Sequence, residues 1–203
     1  MQNANEPVRH SEAAAADGAV FILDGRRSRF TVQAFATGLL SAMGHNPTIG
    51  IRTFSGEVEF APDALRADGF RLTIQAASLA VLDDIGDKDR REIESVMKNE
   101  VLEIEKYPEI SFDALAPVTV SKIDGSLYSA TLNGNLNLHG VTRGECILAR
   151  IVSMGEMLRA SGDFTLQQSN YRIKPVSVAG GALKLKDELK FSFEMVANKR
   201  NQN

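Results

Sequence analysis

The feature that most constrains this chain lies between Tyr128 and Leu138. There Tyr128, Ala130, Leu132, Gly134, Leu136 and Leu138 alternate without a break with Ser129, Thr131, Asn133, Asn135 and Asn137. Successive side chains point to opposite faces only in an extended strand, so this stretch has one apolar and one wholly polar face. The same period of two returns in Phe70, Leu72, Ile74 and Ala76, and in Ile110, Phe112 and Ala114. It returns again in Leu158, Ala160, Gly162, Phe164 and Leu166, and in Leu189, Phe191, Phe193 and Met195. Between Ile49 and Phe60 the parity slips, Ile49 and Ile51 giving way to Phe54, Gly56, Val58 and Phe60, which predicts a bulge near Thr53.

Turn signals punctuate these runs at Asp24-Gly25, Ala67-Asp68-Gly69, Asp124-Gly125, His139-Gly140, Met154-Gly155 and Gly180-Gly181. Roughly eight strands at this spacing make a sandwich or an up-and-down barrel, and one-sided alternation over such long strands favours the barrel. The expected class is therefore all-β with short helices. Asp87 to Glu100 carries Ile93, Val96 and Met97 at helical spacing, with Asp87/Arg91 and Glu94/Lys98 as acid-before-base pairs, and reads as a lid or plug. A shorter helix is predicted over Thr37 to Met43, ended by Gly44. Residues 1–18 read as a floppy N-terminal arm, 19–198 as one barrel domain and 199–203 as a tail. The arm holds no apolar run of signal-peptide length, so the expected location is cytoplasmic, with periplasmic as the alternative if a signal was removed.

Charge and composition narrow the function. With 23 basic against 26 acidic residues, net −3, the chain lacks the cationic excess that nucleic-acid binding demands. No apolar run is long enough for a membrane-spanning helix. Cys146 is the sole cysteine, which excludes an intramolecular disulfide framework and any multi-cysteine metal centre. The histidines are His10, in the arm, His45, in Gly44-His45-Asn46-Pro47, and His139, in a turn, and none belongs to an HExxH pattern. His45 could fix its loop, touch a ligand headgroup or serve as a base. Asp83, Asp84, Asp87 and Asp89 lack the spacing of a calcium loop and suit a solvated helix start. GxSxG, GxGxxG and P-loop patterns are missing, so no catalytic residue, metal or cofactor is expected. What remains is the barrel interior, which is either filled by side chains or holds one slender ligand. Ala76, Ala114, Ala130, Gly134, Ala160 and Gly162, set among Phe and Leu, would leave a tunnel if they coincide in depth.

Four segments carry a family resemblance. They are Ser28-Arg29-Phe30-Thr31-Val32, Gly50 to Gly56 as G-x-x-x-F-x-G, Lys106-Tyr107-Pro108-Glu109-Ile110-Ser111-Phe112, and Gly134 to Thr142 as G-x-L-x-x-H-G-V-T. Together they make the chain resemble the YceI-like family of bacterial lipocalin-like proteins over nearly all of Val20 to Asn198. Asp89-Arg90-Arg91-Glu92-Ile93 stands where many members carry R-D-x-H-L. The resemblance implies an eight-stranded antiparallel lipocalin-like barrel that carries a long isoprenoid or similar amphiphile without catalysis. The ligand-binding residues expected on that basis are Phe30, Val32, Leu39, Met43, His45, Phe54, Leu72, Ile74, Ile93, Met97, Phe112, Leu136, Phe164, Phe191 and Phe193. The polar end would lie near Thr37 to Pro47 or Asp87 to Met97. Two other readings stay open: a hydrolase or isomerase pairing His45 with a nearby acid, and an empty barrel that binds a protein partner. A homodimer is compatible with long strands that leave one side of the wall open.

Overall fold

A computed structural model describes residues 18–37, 46–115, 118–178 and 183–201. The alternating segments become strands β1 (Ala19–Leu23), β2 (Arg29–Gln33), β3 (Ala36–Thr37), β4 (Thr48–Ile51), β5 (Phe54–Ala61), β6 (Arg66–Gln75) and β7 (Leu79–Val81). Helix α1 (Asp87–Val96) follows, and then β8 (Glu109–Ala114), β9 (Val118–Asp124), β10 (Leu127–Leu138), β11 (Val141–Met154) and β12 (Met157–Gln167). The chain ends with β13 (Ser177–Val178), β14 (Leu183–Leu185) and β15 (Glu188–Lys199).

Eight antiparallel strands close on themselves in the order β1, β5, β6, β8, β10, β11, β12, β15. The ring shuts where β15 meets β1, with Phe21 opposite Lys199 and Leu23 opposite Ala197. The other half of β15 pairs with β2, Phe193 opposite Phe30, and β2 leads on through β4 to β7. Several of the eight wall positions are thus built from two short segments in tandem. Beyond this wall, β3, β13 and β14 form a small separate sheet.

Side-chain parity decides the inside, as alternation requires. Phe30, Leu72, Ile74, Phe112, Leu136 and Leu138 are buried, whereas Asn133 and Asn135 face outward. The interior divides into two clusters. Phe21, Phe60, Val118, Tyr128 and Leu158 fill the end nearest the β1–β15 junction, and the larger cluster around Phe30, Ile74, Phe112 and Leu166 occupies the other half.

Several local expectations change. No bulge forms at Thr53; the chain breaks there into β4 and β5, which take different partners. The bulge lies where a turn was expected. Glu57 faces Arg71 and Glu59 faces Asp68, so β6 spends two residues, Gly69 and Phe70, against Val58 alone. Gly69 takes φ +61, the left-handed backbone such a bulge needs. The real turn is Pro62–Leu65, closed by the Leu65 amide on the Pro62 carbonyl. The helix predicted to Glu100 is α-helical to Val96 and continues as a wider π turn over Met97–Val101. Of its two expected ion pairs, Glu94–Lys98 forms at 3.5 Å and Asp87–Arg91 does not. Lys199, placed with the tail, belongs to β15. Leu39, Met43, His45, His10, the Gly180-Gly181 turn and nearly all of the arm and of the short helix after Thr37 lie outside the described residues; Thr37 itself ends β3.

Candidate functional site

The barrel encloses an apolar cavity of about 660 Å³. On β10 its lining runs from Ala130 through Leu132 and Leu136 to Leu138. Eight residue steps at ~3.4 Å give about 27 Å along the strand, or about 20 Å along the axis once the usual strand tilt is taken out. The space is long and narrow. Its depth comes from small side chains: Ala67, Ala130, Ala149, Ala160 and Ala197 line it towards the closed end. Of the small residues singled out in the sequence, only Ala130 and Ala160 contribute. Gly134 and Gly162 serve differently, because an added Cβ there would meet Phe112 Cζ at 2.5 Å and Phe193 Cζ at 2.7 Å. Each glycine lets a neighbouring ring lie flat on the wall.

Among the expected site residues that the structure describes, Phe30, Val32, Leu72, Ile74, Phe112, Leu136, Phe164, Phe191 and Phe193 line the cavity, and so do Ile93 and Met97 on the lid. Phe54 does not. It is buried in the core cluster, edge-on to Phe30 at 6.4 Å. Phe164 and Phe191 stack at 4.8 Å, and Phe30 meets Phe193 edge-on, so one sector of the wall is aromatic.

Helix α1 and the turn after it cover one end. Val81 is on an edge strand, and α1 completes it: the Val81 amide donates to Glu94 Oε1 at 3.0 Å, while Arg90 Nη1 donates to the Val81 carbonyl at 2.7 Å. Arg90 Nη2 also donates to the Asp83 carbonyl. Two side chains four residues apart thus replace the missing strand neighbour. Ile93, Val96, Met97 and Val101 then turn inward over the cavity. Beyond them the chain is tied to the β10–β11 hairpin. His139 Nε2 lies 2.7 Å from Glu103 Oε2, His139 Nδ1 lies 3.2 Å from the Tyr171 carbonyl, and the Tyr107 ring leans on the imidazole at 4.5 Å. Glu103 and His139 both have left-handed backbones, as does Arg172 beside Tyr171. Such strain persists only where the surroundings over-determine it. Tyr171 is fully buried and donates its hydroxyl to Glu145 Oε1. Burial, reinforced by that carboxylate, pushes its hydroxyl well above the ordinary tyrosine range.

Polar groups gather at the same mouth. Asp83, Asp89, Glu92, Gln167, Gln168 and Lys184 all line the cavity there. Asp83 Oδ2 accepts from the Thr48 amide, and Asn46 Oδ1 accepts from the Ala36 amide, which fixes both flanks of the neighbouring loop. Asp83 and Asp89 belong to the acidic cluster expected to be solvated, Asp89 and Glu92 to the segment expected near the polar end, and Gln168, absent from the expected residues, continues the inward parity of Phe164 and Leu166. The sequence makes His139 a turn residue. It is one, with φ +53 followed by Gly140 at φ +70, but its bond to Glu103 was invisible without the fold. Among the described residues no three His, Cys, Asp or Glu side chains gather to hold a metal. No helix there is long and apolar enough to cross a membrane.

Comparison with known proteins places this geometry. No curated protein matches the sequence. A solved polyisoprenoid binding domain from Saccharophagus degradans shares the fold at TM-score 0.65 and 14% identity, over 90% of this chain and 99% of that one. BcnA from Burkholderia cenocepacia does so at TM-score 0.64 and 19% identity, covering 87% and 99%. The Campylobacter jejuni YceI protein gives TM-score 0.57 at 17% identity over 78% and 88%. The model of the YceI-like domain matches residues 21–197, nearly the whole barrel, and the chain belongs to that family.

Proposed function

We propose that this protein is a noncatalytic carrier of a long apolar amphiphile, an isoprenoid or comparable lipid, held in the lumen. The observation that carries the reading is the cavity itself. Leaving about 660 Å³ free of side chains forgoes the close packing and dispersion contacts that a filled core would make. A space that costly to keep is explained by what it accommodates. Its slender shape suits a chain, and the solved neighbour described as a polyisoprenoid binding domain supports the same class.

Desolvation would drive binding at about 0.8 kcal/mol per methylene, offset by the ordering of the flexible chain. Loose selectivity for chain length follows. The contacts proposed are Phe30, Phe112, Leu136, Phe164 and Phe193 along the wall, with Ile93 and Met97 closing over them.

Leu136, 8% exposed and facing Phe112 across the ladder, gives the test. Leu136→Trp fills the lumen at an overpacking cost of about 1–3 kcal/mol, less where space is generous. Asn135→Gln, on the outer face, is the control. Native mass spectrometry and solvent extraction of the purified proteins should show copurifying lipid in wild type and in the control, and much less in folded Leu136→Trp. Equal lipid in all three places the ligand elsewhere.

A further inference from the structure

The wall of β12 ends on a group that the apolar chain of a ligand cannot satisfy. Gln168 is 5% exposed, the one buried amide or charged residue among the described residues, and it lines the cavity at its mouth. Its Nε2 donates to the Lys186 carbonyl at 3.0 Å. That partner can only accept, so the amide has one orientation and Oε1 is turned to the other side. Oε1 receives no hydrogen bond from any described residue. Every side-chain nitrogen or oxygen sealed from solvent and cavity alike does have a partner among those residues. An Oε1 without a donor among those residues is thus reached by solvent or by the cavity that Gln168 lines.

The charge around it has a matching sign. Among the described lining residues, Asp83, Asp89 and Glu92 stand against one cation, Lys184. On the lid, Arg90 is committed to the carbonyls of Val81 and Asp83. An anionic group entering here would face three carboxylates and an amide oxygen that has no donor among the described residues. A group bearing hydrogens on oxygen or nitrogen would satisfy that oxygen and be drawn by the carboxylates.

We propose that the mouth selects amphiphiles whose polar end donates hydrogen bonds, a hydroxyl or a protonated amine, and rejects those ending in carboxylate or phosphate. Gln168 Oε1 is the acceptor that positions the head. This rests on the lumen-binding reading above and gives that ligand a chemical polarity.

Three probes with one chain separate the two ideas: dodecanol, dodecylammonium and dodecanoate, each competing with a fluorescent apolar dye on the full chain at pH 7. Dodecanol and dodecylammonium should bind at least about tenfold more tightly than dodecanoate. Gln168→Leu should bring all three to similar affinity, and Gln168→Glu should restore and sharpen the preference for the ammonium. If dodecanoate binds as well as or better than the others to wild type, the proposal is overturned while lumen binding stands. An unchanged order in folded Gln168→Leu overturns the role of Gln168. If none of the probes displaces the dye, lumen binding fails and the head preference falls with it. Should Gln168→Leu not fold, the order in wild type and in Gln168→Glu decides alone.

Discussion

Gly134 and Gly162 show how single residues shape the cavity. Each belongs to an unbroken apolar parity, and from sequence alone each reads as a gap in the wall. The structure makes them floors for Phe112 and Phe193, because an amino acid without Cβ is what lets a ring lie across the strand. The tunnel instead comes from alanines, three of which, Ala67, Ala149 and Ala197, carry no distinguishing signal, since an inward alanine reads the same whether it lines a void or sits under a neighbour. Tyr171 was equally illegible, being set outside every alternating run. Its raised hydroxyl yields a prediction. The native state holds that proton to a higher pH than the unfolded chain does, so above the ordinary value near 10 the native state binds more protons and stability falls as pH rises. Tyr171→Phe should cost about 1 kcal/mol at neutral pH through the lost bond to Glu145. Denaturant titrations from pH 9 upward should show a shallower alkaline decline in the variant than in wild type.

At the level of elements, strand parity was legible in β6, β8, β10, β12 and β15, while strand boundaries were not. A slip of one residue looks identical in sequence whether the chain bulges or breaks, and only the partners decide; Thr53 breaks because β4 and β5 pair with different strands. Likewise Ala67-Asp68-Gly69 has turn chemistry that a bulge uses equally well. Helix α1 was legible from its inward apolar face, but its docking through Arg90 and Glu94 depends on an edge strand that the sequence does not announce. The far end of the lid depends on His139. Its Nε2 faces the Glu103 carboxylate and its Nδ1 the Tyr171 carbonyl, so the ring spans the lid and the turn after β12. His139→Asn keeps a residue that tolerates the left-handed turn and removes the bridge. It should cost about 1–3 kcal/mol and raise amide hydrogen exchange over 97–107, with little change in the β12–β15 ladder. Unchanged exchange over the lid would show that the bridge does not hold it.

For the molecule as a whole, family and barrel class were legible because they rest on period two and on motifs spread along the chain. The way the ring closes was not. β1 and β15 share only three paired positions, and the Arg200 amide reaches the Val20 carbonyl at 2.7 Å, so the two ends of the barrel chain are neighbours. Joining Gly18 to Arg200 by a short linker and reopening the chain at Met154-Gly155 should therefore give a folded barrel with the same far-UV spectrum and a slightly lower melting temperature. Failure to fold would show that the β11–β12 turn is indispensable. The same junction sets an order in time. β15 is the only strand that joins β12, β2 and β1, and it comes last. A growing chain that has not yet produced Glu188 can assemble a curved sheet from β1 through β5, β6, β8, β10 and β11 to β12, its apolar face bare to water, but it cannot have an interior. The lumen is acquired late and in a single step, and a chain halted anywhere before that strand has most of its wall and no inside.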